Sequence, residues 1–329
     1  MTRTRWLLSL GVLLFLALLV SQDLAAILSI LSRALWGLLL VALFHLVPLV
    51  LDALAIRVLI QSGASRRPLR HSLTARWLGE SANSLMPGGQ LGGPVIMTRH
   101  LSQCGMRMNE AAAAITVSTT LQTVAQILFA LIGGAMLAAQ ASRLSLRLDT
   151  FVFIASAFLA VQVGAFYLIQ RRGLFSKLMR GVKRFSGKRD WSQWISHAQA
   201  MDTAVQEAYR RSGAVMSSFF LSLLGWLVGT GEVYLILRFL GTPISWRDAL
   251  LLESLGQAIR GAAFAIPGAL GVQEGGYLLL APLAALGPDT ALALSLAKRA
   301  RELLLGVPGI LYLQWSARAR VSAAGTAPP

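Results

Sequence analysis

The chain has 329 residues, of which 55% are hydrophobic and only 13% charged, and its mean hydropathy is +0.63. Those values exclude an ordinary soluble domain and point to one polytopic, all-α membrane domain. The net charge of +16 does not indicate nucleic acid, because the basic residues cluster between apolar spans and belong to no nucleic-acid-binding motif. Cys104 is the single cysteine, so no intrachain disulfide forms, and no Cys/His cluster has metal-ligand spacing. His45, His71, His100 and His197 are scattered in sequence, and nothing in the chain calls for a cofactor.

Arg3 and Arg5 precede an apolar run from Trp6 to Val20, and Leu24-Ala25-Ala26 imitates a cleavage region. Because further apolar spans follow at once, the run reads as an uncleaved first transmembrane helix. Full spans are expected over about 6–22, 34–61, 111–139, 150–170, 213–240 and 289–316, each near the roughly 20 residues a membrane helix needs. The second span carries Asp52 and Arg57 and the fifth carries Glu232, none of them within a motif. Arg66, Arg67, Arg70 and Arg76 mark one cytoplasmic loop, the basic run from Arg171 to Arg189 marks another, and Arg318 and Arg320 mark the tail. The positive-inside rule then places both termini in the cytoplasm. The domain divides into a first half (1–170), a basic loop with an amphipathic helix (171–211), a second half (212–317) and a short tail (318–329).

Two stretches interrupt the spans. The first runs Gly79-Glu80-Ser81-Ala82-Asn83-Ser84-Leu85-Met86-Pro87-Gly88-Gly89-Gln90-Leu91-Gly92-Gly93. The second begins at Glu253-Ser254 and reaches Pro267-Gly268-Ala269-Leu270-Gly271-Val272-Gln273-Glu274-Gly275-Gly276. A carboxylate at membrane depth costs roughly 2.5 kcal/mol or more, so it needs a partner or a cavity. Backbone broken by Pro and Gly is tolerated there only where protein or water satisfies it. Two such segments in corresponding halves are the mark of a transporter's binding site. Either they are re-entrant hairpins from opposite sides, forming an inverted repeat, or they are pairs of kinked spans giving eight or more crossings. Hydropathy leaves both open.

Within these stretches Glu80 and Asn83 lie one helical turn apart ahead of Pro87, and Glu253 and Arg260 lie two turns apart ahead of Pro267. Gly268 and Gly271 allow close backbone approach before Glu274. Lys298, Arg299, Arg301 and Glu302 fall in the middle of the last span, where Lys298 and Glu302 have the spacing of an ion pair. Arg299 and Arg301 need other partners, for which Glu80, Glu253 and Glu274 are the candidates; a chain turn at this point would instead make them interfacial basics. A lipid-transport site would combine Glu80, Asn83, Pro87, Glu253, Arg260, Pro267, Gly268, Gly271, Glu274, Arg299 and Arg301, and the competing reading is a set of helix-locking ion pairs. Thr119, Gln122, Thr123 and Gln126 form a polar stripe that serves either as interhelical glue or as a headgroup path. Residues 190–211 place Trp191, Trp194, Ile195, Ala198, Met201, Val205 and Tyr209 on one face, as in a helix lying at the cytoplasmic interface. Walker and dinucleotide motifs are absent, and no serine or cysteine has a catalytic base in view.

Through Gly79–Gly93 and Pro267–Gly276 the chain resembles the lysylphosphatidylglycerol synthase transmembrane (flippase-like) family over nearly its whole length. Ala291–Gly309, reading ALALSLAKRARELLLGVPG, is similar to the hopanoid biosynthesis-associated members. The resemblance implies a lipid translocator of the bacterial inner membrane. Its favoured substrate is a hopanoid, with an anionic phospholipid or polyprenyl phosphate as the alternative, and proteins of lipid biosynthesis or export are conceivable partners. Without the soluble domain that follows the membrane region in the synthases, aminoacyl transfer is not expected. An intramembrane lipid-modifying enzyme, using Glu80 or Glu274 as acid or base, is the reading from another class.

Overall fold

The computed structural model describes residues 35–60, 69–86, 92–140, 192–263 and 266–325, with single positions at 157, 161, 164, 168 and 177. The expected spans at 6–22 and 150–170 lie outside these residues apart from those isolated positions, as do Pro87, Arg66, Arg67 and most of the basic run before residue 190. The described chain is helical, with no strand. Its elements are α1 (Leu35–Phe44), α2 (Leu46–Arg57), α3 (Leu69–Leu85), α4 (Gly92–Gln103), α5 (Met108–Gln140), α6 (Ser192–Arg210), α7 (Ser212–Phe239), α8 (Trp246–Ala262), α9 (Val272–Leu280) and α10 (Pro288–Gly325). Short 3-10 turns occupy Pro267–Ala269 and Ala281–Ala284.

Among the described residues three helical stretches are long and apolar enough to cross a membrane: Trp36–Arg57, which joins α1 to α2, Met108–Ala139 in α5 and Ser212–Phe239 in α7. α10 has the length, at 38 residues, but carries four charged side chains between 298 and 302. The two interrupted stretches form paired short helices. α3 and α4, of 17 and 12 residues, flank the first break, and α8 and α9, of 17 and 9 residues, flank the second. All four fall short of the roughly 20 residues that span a bilayer core. The order of long helix, short pair, long helix thus occurs twice among the described residues, as α1–α2, α3–α4, α5 and as α7, α8–α9, α10.

Local chemistry explains the boundaries. Pro48 has no N–H for the Phe44 carbonyl and its ring crowds that carbonyl, so the first span bends where α1 meets α2, at His45. Ser245 opens α8 by accepting from the Asp248 amide at 3.1 Å, and the hydroxyl in turn donates to the Asp248 carboxylate at 2.7 Å. At the second break Gly268 and Gly271 take φ values of 61° and 77°, in the left-handed region that glycine enters without a Cβ clash. Ala269, at φ 49°, takes the same region at some cost.

Among the described residues two large apolar clusters hold the helices, with a third, smaller one around Leu292 and Ala293. One gathers Leu38, Val41, Ile236, Leu252, Tyr277 and Leu294 from α1, α7, α8, α9 and α10. The other joins Ile56, Ala75, Met97, Ile115 and Val205 from α2 through α6. α6 packs against the rest of the protein along one face. Ala198, Ala204, Val205 and Ala208 are buried, and the last three pack with Ala111, Ala113 and Ala114 at the small-residue start of α5. Its stripe therefore faces protein, at least over the half where side chains are described.

α3 and α10 approach very closely. A Cβ built on Gly309 would stand 2.1 Å from Ser81 Oγ and 2.8 Å from Ser81 Cβ. Gly309→Ala should therefore lower thermal stability in detergent, with a penalty of about 1–3 kcal/mol typical of overpacking. Adding Ser81→Gly should restore much of the loss. A melting temperature unchanged by Gly309→Ala would show that the two helices are not in this register.

Candidate functional site

Between the helices lies a cavity of about 220 Å³. A single water needs only about 10–15 Å³ by this kind of measure, so the space suits a polar headgroup with its hydration. Its wall is charged: Asp52, Glu80, Glu232, Glu253 and Glu302 face it together with Arg76, Arg260, Arg301 and His45. α5 contributes Thr119, Gln122, Thr123 and Gln126, so the polar stripe faces the cavity. It also makes hydrogen bonds across helices, from Gln122 Nε2 to Asp52 at 2.7 Å and from Gln126 Nε2 to the Gln257 carbonyl at 3.1 Å.

The charged groups are paired throughout. Arg76 binds Asp52 at 2.7 Å and approaches Glu80 at 3.8 Å. Arg301 donates to Glu232 at 3.0 Å and to Glu80 at 3.2 Å. His45, at the bend between α1 and α2, lies 2.8 Å from Glu80 and 2.9 Å from Glu232. Arg260 binds Glu302 at 2.6 Å and Gln273 at 2.9 Å. Lys298, 2% exposed, binds Glu253 at 2.6 Å, and that carboxylate also accepts from Tyr277 and Gln257. In a medium of low dielectric an unpaired charge costs far more than a paired one, which is why a span this polar holds together.

Glu274 is fully buried behind the cavity and organises the second break. One oxygen accepts the Gly271 amide at 2.7 Å, the other accepts from Ser295 at 3.2 Å and from Arg299 at 3.1 Å. Arg299 also donates to the Gly268 carbonyl and to Glu302, pinning the left-handed turn. At the first break Asn83 Oδ1 accepts the Gly93 amide at 2.9 Å, tying the end of α3 to the start of α4.

The residues singled out in sequence thus fall into one polar interior. Glu80, Asn83, Glu253, Arg260, Gly268 and Arg301 line the cavity, while Gly271, Glu274 and Arg299 sit behind it. Pro267 lies in the 3-10 turn; Pro87 lies outside the described residues. Two pairings differ from expectation. Lys298 pairs across helices with Glu253 and not with Glu302, which is taken by Arg260 and Arg299. Arg76 is no loop basic: it is just over one turn from Glu80 inside α3 and is held by Asp52. Charge density near other arginines gave it the appearance of a topology marker. His45, Asp52 and Glu232 complete the site without a motif to announce them. The available cue was that all three are polar in otherwise apolar spans.

Among the described residues no group of three or more His, Cys, Asp or Glu side chains is placed to hold a metal ion. Cys104 Sγ lies 3.7 Å from His100 Nε2, away from the cavity wall. Comparison with known families finds one match, to the Lysylphosphatidylglycerol synthase TM region, over residues 6–309. No curated protein and no solved structure matches the chain.

The Lys298–Glu253 pair gives a direct test of the interior. Lys298→Met should destabilise the protein by about 3–5 kcal/mol, because it leaves a buried carboxylate without its cation. Combining it with Glu253→Gln should recover most of that loss. Unfolding in mixed micelles measures both; equal damage from the single and the double variant would contradict the pairing.

Proposed function

The chain belongs to the Lysylphosphatidylglycerol synthase TM region family, and from that premise we propose that it translocates a lipid whose headgroup passes through the charged cavity. The observation that carries this reading is a headgroup-sized polar space inside apolar helices, beside two short helical pairs. The short pairs are re-entrant hairpins in this reading, related as an inverted repeat, so that each break reaches the cavity from one side. The membrane is the bacterial inner membrane, with both termini in the cytoplasm.

Hopanoids are the favoured substrate class. The resemblance of residues 291–309 supports them, and so does the wall chemistry. Arg76, Arg260 and Arg301 are each engaged by a carboxylate, so the cavity offers hydrogen bonds without surplus positive charge. An anionic phospholipid or polyprenyl phosphate would have to displace those carboxylates. A second reading, intramembrane modification of a lipid, is favoured by a single observation: His45 stands between two carboxylates in the cavity wall, an arrangement suited to acid–base chemistry.

Deleting the gene and comparing lipids of the inner and outer membranes separates the readings. Translocation predicts unchanged lipid species with an altered hopanoid distribution, whereas an enzyme predicts that a species disappears. Unchanged hopanoid content and distribution would remove the substrate assignment. In reconstituted vesicles Gln126→Leu should slow lipid transfer roughly five- to tenfold, the equivalent of one lost hydrogen bond of about 1 kcal/mol. For topology, Ser186→Cys in a Cys104→Ala background should react with a thiol reagent only from the cytoplasmic side. Labelling from the periplasm would reverse the orientation.

A further inference from the structure

The polar interior contains an odd charge. Among the described residues its carboxylates are Asp52, Glu80, Glu232, Glu253, Glu274 and Glu302, and its permanent cations are Arg76, Arg260, Lys298, Arg299 and Arg301, which is six against five. The missing positive charge falls where His45 stands. Its Nδ1 is 2.9 Å from Glu232 Oε2 and its Nε2 is 2.8 Å from Glu80 Oε1. A neutral imidazole has one N–H and would turn a lone pair toward one of those oxygens. With both nitrogens protonated, both contacts become hydrogen bonds and the interior balances at six against six.

The second proton has a prepared exit. Arg301 Nη1 lies 3.2 Å from Glu80 Oε1 and 3.3 Å from His45 Nε2. When the Nε2 proton leaves, this N–H donates to the ring, so no buried lone pair is stranded. The Nδ1 proton has no such substitute, because Glu232 is bound by the Arg301 Nε on its other oxygen. Among the described residues the charged groups around the ring come from several elements. Asp52 lies on α2 itself, Arg76 and Glu80 come from α3, Glu232 from α7, and Lys298, Arg301 and Glu302 from α10. Glu253 and Arg260 of α8 face the same cavity; α5 offers amides and hydroxyls but no charge there, and α1 has no ionisable residue.

We propose that His45 Nε2 is a proton-binding site on the transport route, and that one proton is exchanged for each lipid headgroup crossing the cavity. The proposal rests on the translocation reading above. The step is a simple proton transfer. A headgroup hydroxyl entering beside Glu80 donates to that carboxylate in place of the Nε2–H, the proton passes to cavity water, and Arg301 Nη1 turns from Glu80 to the ring. Glu80 on α3 and Arg301 on α10 are joined at this contact, so the exchange loosens the seam between those helices. Histidine suits the task because its charge changes near neutral pH.

The test uses the full chain in vesicles, with the membrane potential clamped to zero and a labelled hopanoid polyol as probe. One proton per lipid predicts that a gradient of one pH unit shifts the steady-state distribution between leaflets about tenfold. His45→Gln, which keeps a hydrogen-bond donor but does not titrate, should leave the distribution even. If the wild type moves the lipid but distributes it evenly under the gradient, coupling is overturned and translocation stands. Should the wild type move no lipid, the translocation reading falls, and coupling with it. A readout independent of transport is nitrogen NMR of the chain labelled at its 4 histidines, with His45→Gln as the assignment control. Both ring nitrogens of His45 should be protonated at neutral pH, the Nε2 proton leaving first as pH rises. A neutral ring at neutral pH overturns the proposal whatever the transport assay shows. If His45→Gln does not fold, the wild-type gradient response still decides.

Discussion

A charge taken out of water must find its counter-charge, and this one constraint arranges most of the molecule. α10 carries Lys298, Arg299, Arg301 and Glu302 within a little more than one turn, so they point in several directions. Their partners lie on α3, α7, α8 and α9: Glu80, Glu232, Glu253 with Arg260, and Glu274. Each pair fixes the rotation of another helix about α10. Apolar packing alone would leave those rotations nearly degenerate, because surfaces rich in Leu, Ala and Val fit one another in many registers. The ion pairs select one.

The same constraint explains how broken backbone survives here. The turn at Gly268–Gly271 exposes an amide and a carbonyl that no helix satisfies. Glu274 takes the amide and Arg299 takes the carbonyl, and the two side chains pair with each other. Backbone and side-chain polarity are thus satisfied as one unit, and the cavity beside them is what remains when the short helices stop before filling the interior.

Sequence made much of this legible. Carboxylates beside Pro and Gly marked both breaks, and the charges of α10 announced a buried polar site, because each violates what apolar surroundings demand. Partner choice was less legible. Lys298 and Glu302 have the right spacing for each other, yet spacing along one helix says nothing of what a neighbouring helix offers. Lys298 therefore meets Glu253, on α8, more than 40 positions earlier. His45 was hidden for another reason. A lone histidine carries no periodic pattern, and its position follows from the bend at Pro48, whose consequence depends on where α3 and α7 pass. Arg76 was masked by its neighbours, since a basic residue beside basic residues looks like a loop until a buried Asp52 is found against it. The family match over residues 6–309 fixes the class of molecule but carries none of these pairings.

The reach of α10 has a consequence for how the molecule is made. Chains emerge and begin to fold from the N-terminus, so Glu232, Glu253 and Glu274 emerge before Lys298, Arg299 and Arg301 do. His45, Asp52, Arg76 and Glu80 can settle among themselves early, but those three carboxylates wait. Until α10 arrives they must stay hydrated, protonated or shielded by the insertion machinery, and the second half cannot close. The last long helix is therefore also the act of completion, and a chain that lost it would present uncompensated acids to lipid, a defect that membrane quality control is equipped to recognise.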